Sequence, residues 1–302
     1  MRYLYYPGCS LEGTAREYNT ATRALMHAMG HELDDIEDWT CCGASAAEGA
    51  STLLALALPA HNLALAERQA GAEDILVPCS ACYLNLKRAA VEIRTRDGLL
   101  QRLNDLLSDE QLHLKGSLRV RHLLDVLATD IGPQRLAAKV VRPLTGLVVA
   151  PYYGCQCLRP YADFDDPERP TSMEPLIRAV GAQPLDWNMG AKCCGASHMN
   201  TKPEIGQALS GAILAAARGA DAVVTVCPMC QMNLEAYQQR ISRQQGSDLS
   251  ISILYLPQLL GLAVGLSEEG VQLNLNLAME SDFRTKLAGH AVTPNEAAAL
   301  SI

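Results

Sequence analysis

Large aromatic side chains are scarce in this sequence, which has two phenylalanines and two tryptophans in 302 residues. Its core must therefore rest mostly on leucine, alanine and valine. Basic runs are missing as well, and the formal net charge is −8. Phosphate backbones need a positive surface, so nucleic acid is excluded as an expected partner. No apolar stretch reaches the ~18 residues of a membrane span. LLALALPA (53–60) and LYLPQLLGLAVGL (254–266) fall short, carry proline and read as core elements. The opening MRYLYYPGCS lacks the charged-then-apolar layout of a secretion signal. A cytoplasmic protein that does not itself span a membrane, with reduced thiols, is the expectation. The chain also has no C-x2-C-x2-C-x3-C ferredoxin run and no GxGxxG dinucleotide fingerprint.

Cysteine is what the sequence has in abundance. The eleven fall at 9, 41, 42, 79 and 82, then at 155, 157, 193, 194, 227 and 230. The first half reads C-x31-CC-x36-CxxC; the second, counted from Cys155, reads C-x37-CC-x32-CxxC. The surrounding text repeats too. CCGAS (41–45) returns as CCGAS (193–197), and PCSACYLNL (78–86) as CPMCQMNL (227–234). Helix-patterned and strand-like runs recur in the same order between the cysteines. Such self-similarity reads as duplication of one structural unit.

Short β-rich runs alternate with amphipathic helices, so the expected class is α/β: two pseudo-symmetric, Rossmann-like units. Their expected bounds are 1–142, with a polar helical insertion at about 91–118, and 143–266. The tail at 267–302 could wrap the core or dock on a partner. Ligands of such folds gather where strands end and helices begin, and Cys9, Cys79, Cys155 and Cys227 each close a strand-like run.

Four readings compete for ten thiols in two sets of five. An odd total and a reducing compartment disfavour disulfides. Inert buried thiols explain a lone cysteine but not two copies of CCG plus CxxC. Zinc takes CxxC half-sites, yet a structural zinc site closes at four ligands and each half offers five. An iron–sulfur cluster spans several irons, so adjacent thiolates can reach different metals. Five donors exceed the four of a cubane, which points to an opened cluster or to a thiol kept for chemistry. Gly43 and Gly195 permit close backbone approach to bulky sulfide. Helices expected after Cys82 and Cys230 would aim N–H groups at an anionic cluster. Register matches Gly154-Cys155 to Gly8-Cys9, which leaves Cys157 as a neighbouring thiol.

These motifs, with YYGCQCLRP, FDDPERPTSMEPL and CPMCQMNLEAY, make the chain resemble the B-type subunit of heterodisulfide reductase and its relatives, which carry twin CCG domains. One departure is the x32 gap of the second half, which suggests a shorter loop. The resemblance implies two non-cubane [4Fe–4S] clusters. Cys9, Cys41, Cys42, Cys79 and Cys82 would hold one; Cys155, Cys193, Cys194, Cys227 and Cys230 would hold the other. It further implies that the cluster irons, not a separate side chain, act on a disulfide or a carrier-bound sulfur such as a lipoate-bound one, as in sulfur-oxidising relatives. A C-type iron–sulfur subunit and a flavin-containing A-type subunit are the implied partners. An electron-transfer role without bond chemistry, beside succinate, glycolate or lactate oxidoreductases, is the alternative.

Other residues read more plainly. Lys192 and His198 sit in expected solvated loops, with a supporting role toward the cluster as the lesser reading. His27 and His122 fall in core-like text. DDPERP (165–170) reads as a surface loop. Tyr5, Tyr6, Tyr152 and Tyr153 read as core residues near the cysteine pocket.

Overall fold

The computed structural model describes residues 1–44, 46–69 and 74–289. Two four-stranded parallel sheets organise them. The first contains β1 (Arg2–Tyr5), β2 (Glu32–Asp35), β3 (Asp74–Val77) and β4 (Arg119–His122), in the order β2-β1-β3-β4. The second contains β5 (Val148–Tyr152), β6 (Gln183–Pro184), β7 (Ala222–Thr225) and β8 (Ser252–Tyr255), in the order β6-β5-β7-β8. The α/β expectation of two duplicated units therefore holds. DILV of β3, AVVT of β7 and SILY of β8 are buried at every position. Strands covered by helices on both faces read as such continuous apolar runs.

Helices follow each strand. The first unit has α1 (Gly8–Glu12), α2 (Arg16–Ala28), α3 (Ala47–Ala50), α4 (Thr52–Arg68), α5 (Ser80–Thr95), α6 (Leu99–Leu107), α7 (Leu123–Val126) and α8 (Gly132–Ala137). The second has α9 (Met173–Ala179), α10 (Pro203–Ala216), α11 (Pro228–Ala236), α12 (Gln238–Gln245) and α13 (Leu256–Ala263), and α14 (Ser281–Gly289) follows. The apolar run at 53–60 lies within α4, and the one at 254–266 forms the end of β8 and α13.

Three details differ from expectation. Residues 91–95 close α5 rather than open an insertion, because the helical pattern runs unbroken to Thr95. The extra segment then forms α6, whose buried face of Leu99, Leu103 and Leu107 makes it amphipathic rather than simply polar. His27 is exposed, on the outward face of α2, while Leu25 and Met26 beside it are buried.

The tail wraps the second unit as far as it is described. The Ile253 amide donates to the Ala278 carbonyl at 3.0 Å, and Asn276 Nδ2 donates to the Ile253 carbonyl at 2.8 Å. Phe283 and Leu287 of α14 are buried, and Lys286 pairs with Asp221 at 2.6 Å. Residues 290–302 lie outside the described residues.

Candidate functional site

In each sheet the first and third strands are neighbours, and the chain turns outward from there in both directions. That reversal is the switch point where open α/β sheets bind ligands beyond their strand C-termini. Cys9 lies in α1 directly after β1, and Cys79 follows β3; Cys155 and Cys227 follow β5 and β7.

The CxxC helices start one turn earlier than expected. Cys79 and Cys227 are the N-cap residues of α5 and α11, and Cys82 and Cys230 lie inside the first turn. Both cysteines of each motif thus stand at the positive end of a helix. The CCG segment of each unit comes to the same place. Cys42 and Cys82 sulfurs lie 3.4 Å apart, and Cys194 and Cys230 sulfurs 3.5 Å apart. Charge on Cys41, Cys42 and Cys79 acts on Cys9 and raises its pKa, after the larger effect of burial.

In the second unit Cys155, Cys193, Cys194, Cys227 and Cys230 all line one cavity of about 80 Å³. Cys157 is not among its lining residues; it is fully buried, and its thiol donates to the Tyr153 carbonyl at 3.3 Å. In both units the inner sulfurs are buried, and Cys41 and Cys193 face solvent. Cys9 is exposed, but Cys155 is half-buried.

The surroundings of the sulfurs repeat between units. The Gly43 amide donates to Cys41 Sγ at 3.5 Å, and the Gly195 amide to Cys193 Sγ at 3.3 Å. Asn85 Nδ2 donates to the Cys42 carbonyl at 3.0 Å, with Cys42 Sγ at 3.9 Å; Asn233 Nδ2 donates to the Cys194 carbonyl at 3.3 Å, with Cys194 Sγ at 3.7 Å. Tyr6 donates its hydroxyl to the Thr40 carbonyl at 2.6 Å, and Tyr152 to the Lys192 carbonyl at 2.7 Å. Each tyrosine fixes the residue just before the cysteine pair, with Trp39 or Trp187 edge-on to its ring.

Gly8 and Gly154 have φ of +72° and +73°, and a Cβ there would stand 2.7 Å from Cys82 Sγ and 3.0 Å from Cys230 Sγ. The backbone has been brought against the sulfurs where no side chain fits.

Protons are shared unevenly within the sets. Cys42, Cys193 and Cys227 are shifted toward thiolate by hydrogen bonds from Cys82, Cys155 and Cys230 respectively. Those three donors are shifted the other way, chiefly by hydrogen bonding to neighbouring cysteines. In the second unit Arg159 and His198 add smaller charge effects favouring the Cys193 thiolate. Lys192 contributes its carbonyl, while its side chain is exposed.

Among the described residues, no group of three or more His, Cys, Asp or Glu side chains is placed to hold a metal ion. The second set instead surrounds a space, with the Gly195 amide donating to Cys193 Sγ and Asn233 Nδ2 to Cys194. Soft anionic donors spread around a volume suit a multi-iron cluster better than a point charge.

Comparison with known proteins agrees with this arrangement. The family model described as a CCG cysteine-rich domain matches twice, over residues 3–87 and 149–235. The chain belongs to this family. It is 36% identical over 279 residues to the 8-methylmenaquinol:fumarate reductase membrane anchor subunit of Wolinella succinogenes, covering 91% of this chain and 96% of that one. It is 28% identical over 291 residues to the B-type subunit of a ferredoxin/F420H2-dependent CoB-CoM heterodisulfide reductase from Methanosarcina acetivorans, covering 93% and 95%. The resemblance to the heterodisulfide reductase B-type subunits therefore holds over nearly the whole chain. A hypothetical protein from Helicobacter pylori shares the fold, with a TM-score of 0.76 at 15% identity; the match covers 93% of this chain and 52% of that one. Among the described residues no helix is long and apolar enough to cross a membrane.

The two CCG sites meet through Tyr18 and Ser80, whose roles the sequence did not mark, and His122, which its core-like text had placed inside. Tyr18 donates its hydroxyl to the carbonyls of Pro78 (3.0 Å) and Val226 (3.2 Å), the residues preceding Cys79 and Cys227. Ser80 Oγ donates to the same Val226 carbonyl at 3.1 Å and lies 3.2 Å from His122 Nε2. His122 is fully buried, and that burial lowers its pKa to about 3, keeping it neutral. Asn85 and Asn233 were missed as well. The available signal was their shared place, three residues past the last cysteine of each CxxC.

Proposed function

We propose that each five-thiol set holds one [4Fe–4S] cluster of the non-cubane type, and that the chain is an iron–sulfur subunit of a heterodisulfide reductase-like complex acting on a disulfide or a carrier-bound sulfur compound. Cys9, Cys41, Cys42, Cys79 and Cys82 are the proposed ligands of the first; Cys155, Cys193, Cys194, Cys227 and Cys230 those of the second. A bound cluster supplies one-electron redox chemistry and a Lewis-acidic iron near the surface. The protein's part is to hold and tune. The Gly43 and Gly195 amides neutralise charge on the outer sulfurs, Asn85 and Asn233 orient the cysteine pairs, and Tyr6 and Tyr152 lock the loops that carry them.

The observation that carries the sulfur-chemistry reading is exposure. Cys41 and Cys193 open to solvent while the CxxC sulfurs are buried, so a substrate can approach one side of each site. A relay centre requires no such opening. Reduction of one S–S bond to two thiols consumes two electrons and two protons. With no flavin or dinucleotide motif in this chain, the electrons come from a partner subunit carrying flavin or ordinary clusters. The cytoplasm is the proposed setting.

A second reading, relay without bond chemistry, is favoured by the 36% identity to the fumarate reductase subunit. Anaerobically reduced protein offered a small disulfide separates the two. Release of two thiols per pair of electrons supports sulfur chemistry. Oxidation by a dye acceptor with no thiol release would leave only the relay.

A further inference from the structure

The two units exchange aromatic residues across their contact. Tyr18, nine residues after Cys9, stacks on Tyr255 with centroids 4.1 Å apart. Phe164, nine residues after Cys155, stacks on His122 at 6.2 Å. Beside each stack an acidic residue one position earlier faces the other unit's CxxC helix, and there the symmetry fails. Asp163 pairs with Lys87 of α5 and accepts from the Tyr83 hydroxyl at 3.2 Å. Its counterpart by count is Glu17, and the positions matching Lys87 and Tyr83 on α11 are Glu235 and Gln231. The cation of one side is replaced by a second carboxylate on the other.

Glu17, Gln231 and Glu235 line a cavity of about 350 Å³. Glu17 is 5% exposed and Glu235 9%, and among the described residues neither forms a salt bridge. Burial raises the pKa of both, that of Glu235 to about 8; Arg16 acts on Glu17 in the opposite direction but is outweighed. Glu235 accepts from Gln231 Nε2 at 2.9 Å and the Ala278 amide at 3.4 Å. Gln231 is 2% exposed, and its Oε1 has no hydrogen-bond partner. A buried acceptor left unsatisfied costs roughly 1–3 kcal/mol. The cavity's rim is apolar: Met232, Leu275 and Leu277 line it while standing 45%, 42% and 73% exposed.

We propose that this cavity is a docking site for a lysine or arginine side chain presented by a partner polypeptide. The cationic head satisfies Glu17, Glu235 and the free Gln231 oxygen, and the aliphatic stem lies along Met232, Leu275 and Leu277. The net charge of −8 favours a basic partner surface. The pocket is thus the place that Lys87 fills from within on the opposite side.

Thermal unfolding of the full chain, purified without oxygen and matched for iron content, tests this with N-acetyl-arginine methylamide as the probe. At ten times its dissociation constant the probe should raise the melting temperature by about 2 °C. Glu235→Lys should raise the melting temperature by about 1–3 °C on its own, by supplying the missing cation, and should abolish the response to the probe. Glu235→Gln should weaken probe binding several-fold without that gain. No response of the unaltered protein, or an equal response of Glu235→Lys, overturns the proposal. A stronger response to putrescine than to the capped arginine also overturns it, because the site would then belong to a free polyamine. None of these readouts depends on which group the cysteines hold.

Discussion

The two halves agree in how they fix their cysteine loops and differ in the elements and charges packed around them. Both place a glycine at positive φ against the last CxxC cysteine, both donate a glycine amide to the outer cysteine, and both use tyrosine and asparagine to fix the CCG loop. The first half alone carries α6, which walls an open groove of about 790 Å³ with Leu54, Leu58, His61 and Leu106 beside Thr40. The second half alone places Arg159 and His198 near its outer thiolate. The two halves share what fixes the cysteines and differ in what surrounds them. Shared features are thus best assigned to binding, and unshared ones to electronic tuning and recognition.

The sharpest way to break that comparison is to delete a ligand on one side. Cys42→Ala should lose the first site, about half the bound iron, while signals of the second persist; Cys194→Ala should do the converse. Simultaneous loss in either variant would show that the sites are not separate. Cys157→Ala should leave the iron content unchanged, and loss of one cluster would move the ligand from Cys155.

A smaller effect is expected at the glycine cradles. Gly8→Ala meets Cys82 Sγ at 2.7 Å and Gly154→Ala meets Cys230 Sγ at 3.0 Å. Both carry a left-handed penalty of about 1–2 kcal/mol, so iron retention on mild chelation should fall in both and further for Gly8→Ala. Equal retention to the unaltered protein would remove the argument that backbone approach is required.

Smaller still are the electronic changes. Asn85→Leu and Asn233→Leu should keep iron but lower the reduction potential of their own site, by roughly 50 mV for one lost hydrogen bond of about 1 kcal/mol. Arg159→Ala should lower only the second site's potential, because it removes a positive charge near Cys193. Potentiometric titration followed by electron paramagnetic resonance reads both.

The acid pair predicts a pH slope. Glu235 is raised to about 8 in the folded chain by burial, with Glu17 and Tyr255 facing it, against an unfolded value near 4.5. A raised carboxyl binds its proton more tightly when folded, so its stability contribution is full below about 4.5 and is lost as pH rises through 8. Melting temperature should therefore decline across that window, and Glu235→Gln should flatten the decline. An unchanged slope would mean another group sets it.

Much of the site was legible because its chemistry is written in residue types. The spacing of CCG and CxxC, repeated twice, marked the two cysteine sets now proposed as ligands, and β/α alternation marked the two α/β units. What escaped lies in contacts between segments far apart in sequence. Tyr18 bridging Pro78 and Val226 joins positions 60 and 208 residues away, and no local pattern marks such a bond. The helix starts were misplaced because Cys79 and Cys227 serve as N-caps, a role usually taken by Ser, Thr, Asp or Asn. His27 misled because a neighbouring buried pair, Leu25 and Met26, made its text look apolar throughout.

Counting iron and acid-labile sulfide in anaerobically purified protein tests the central claim most directly. Two four-iron clusters predict about eight irons and an equal amount of sulfide per chain. Zinc in place of iron, or iron without sulfide, would contradict it.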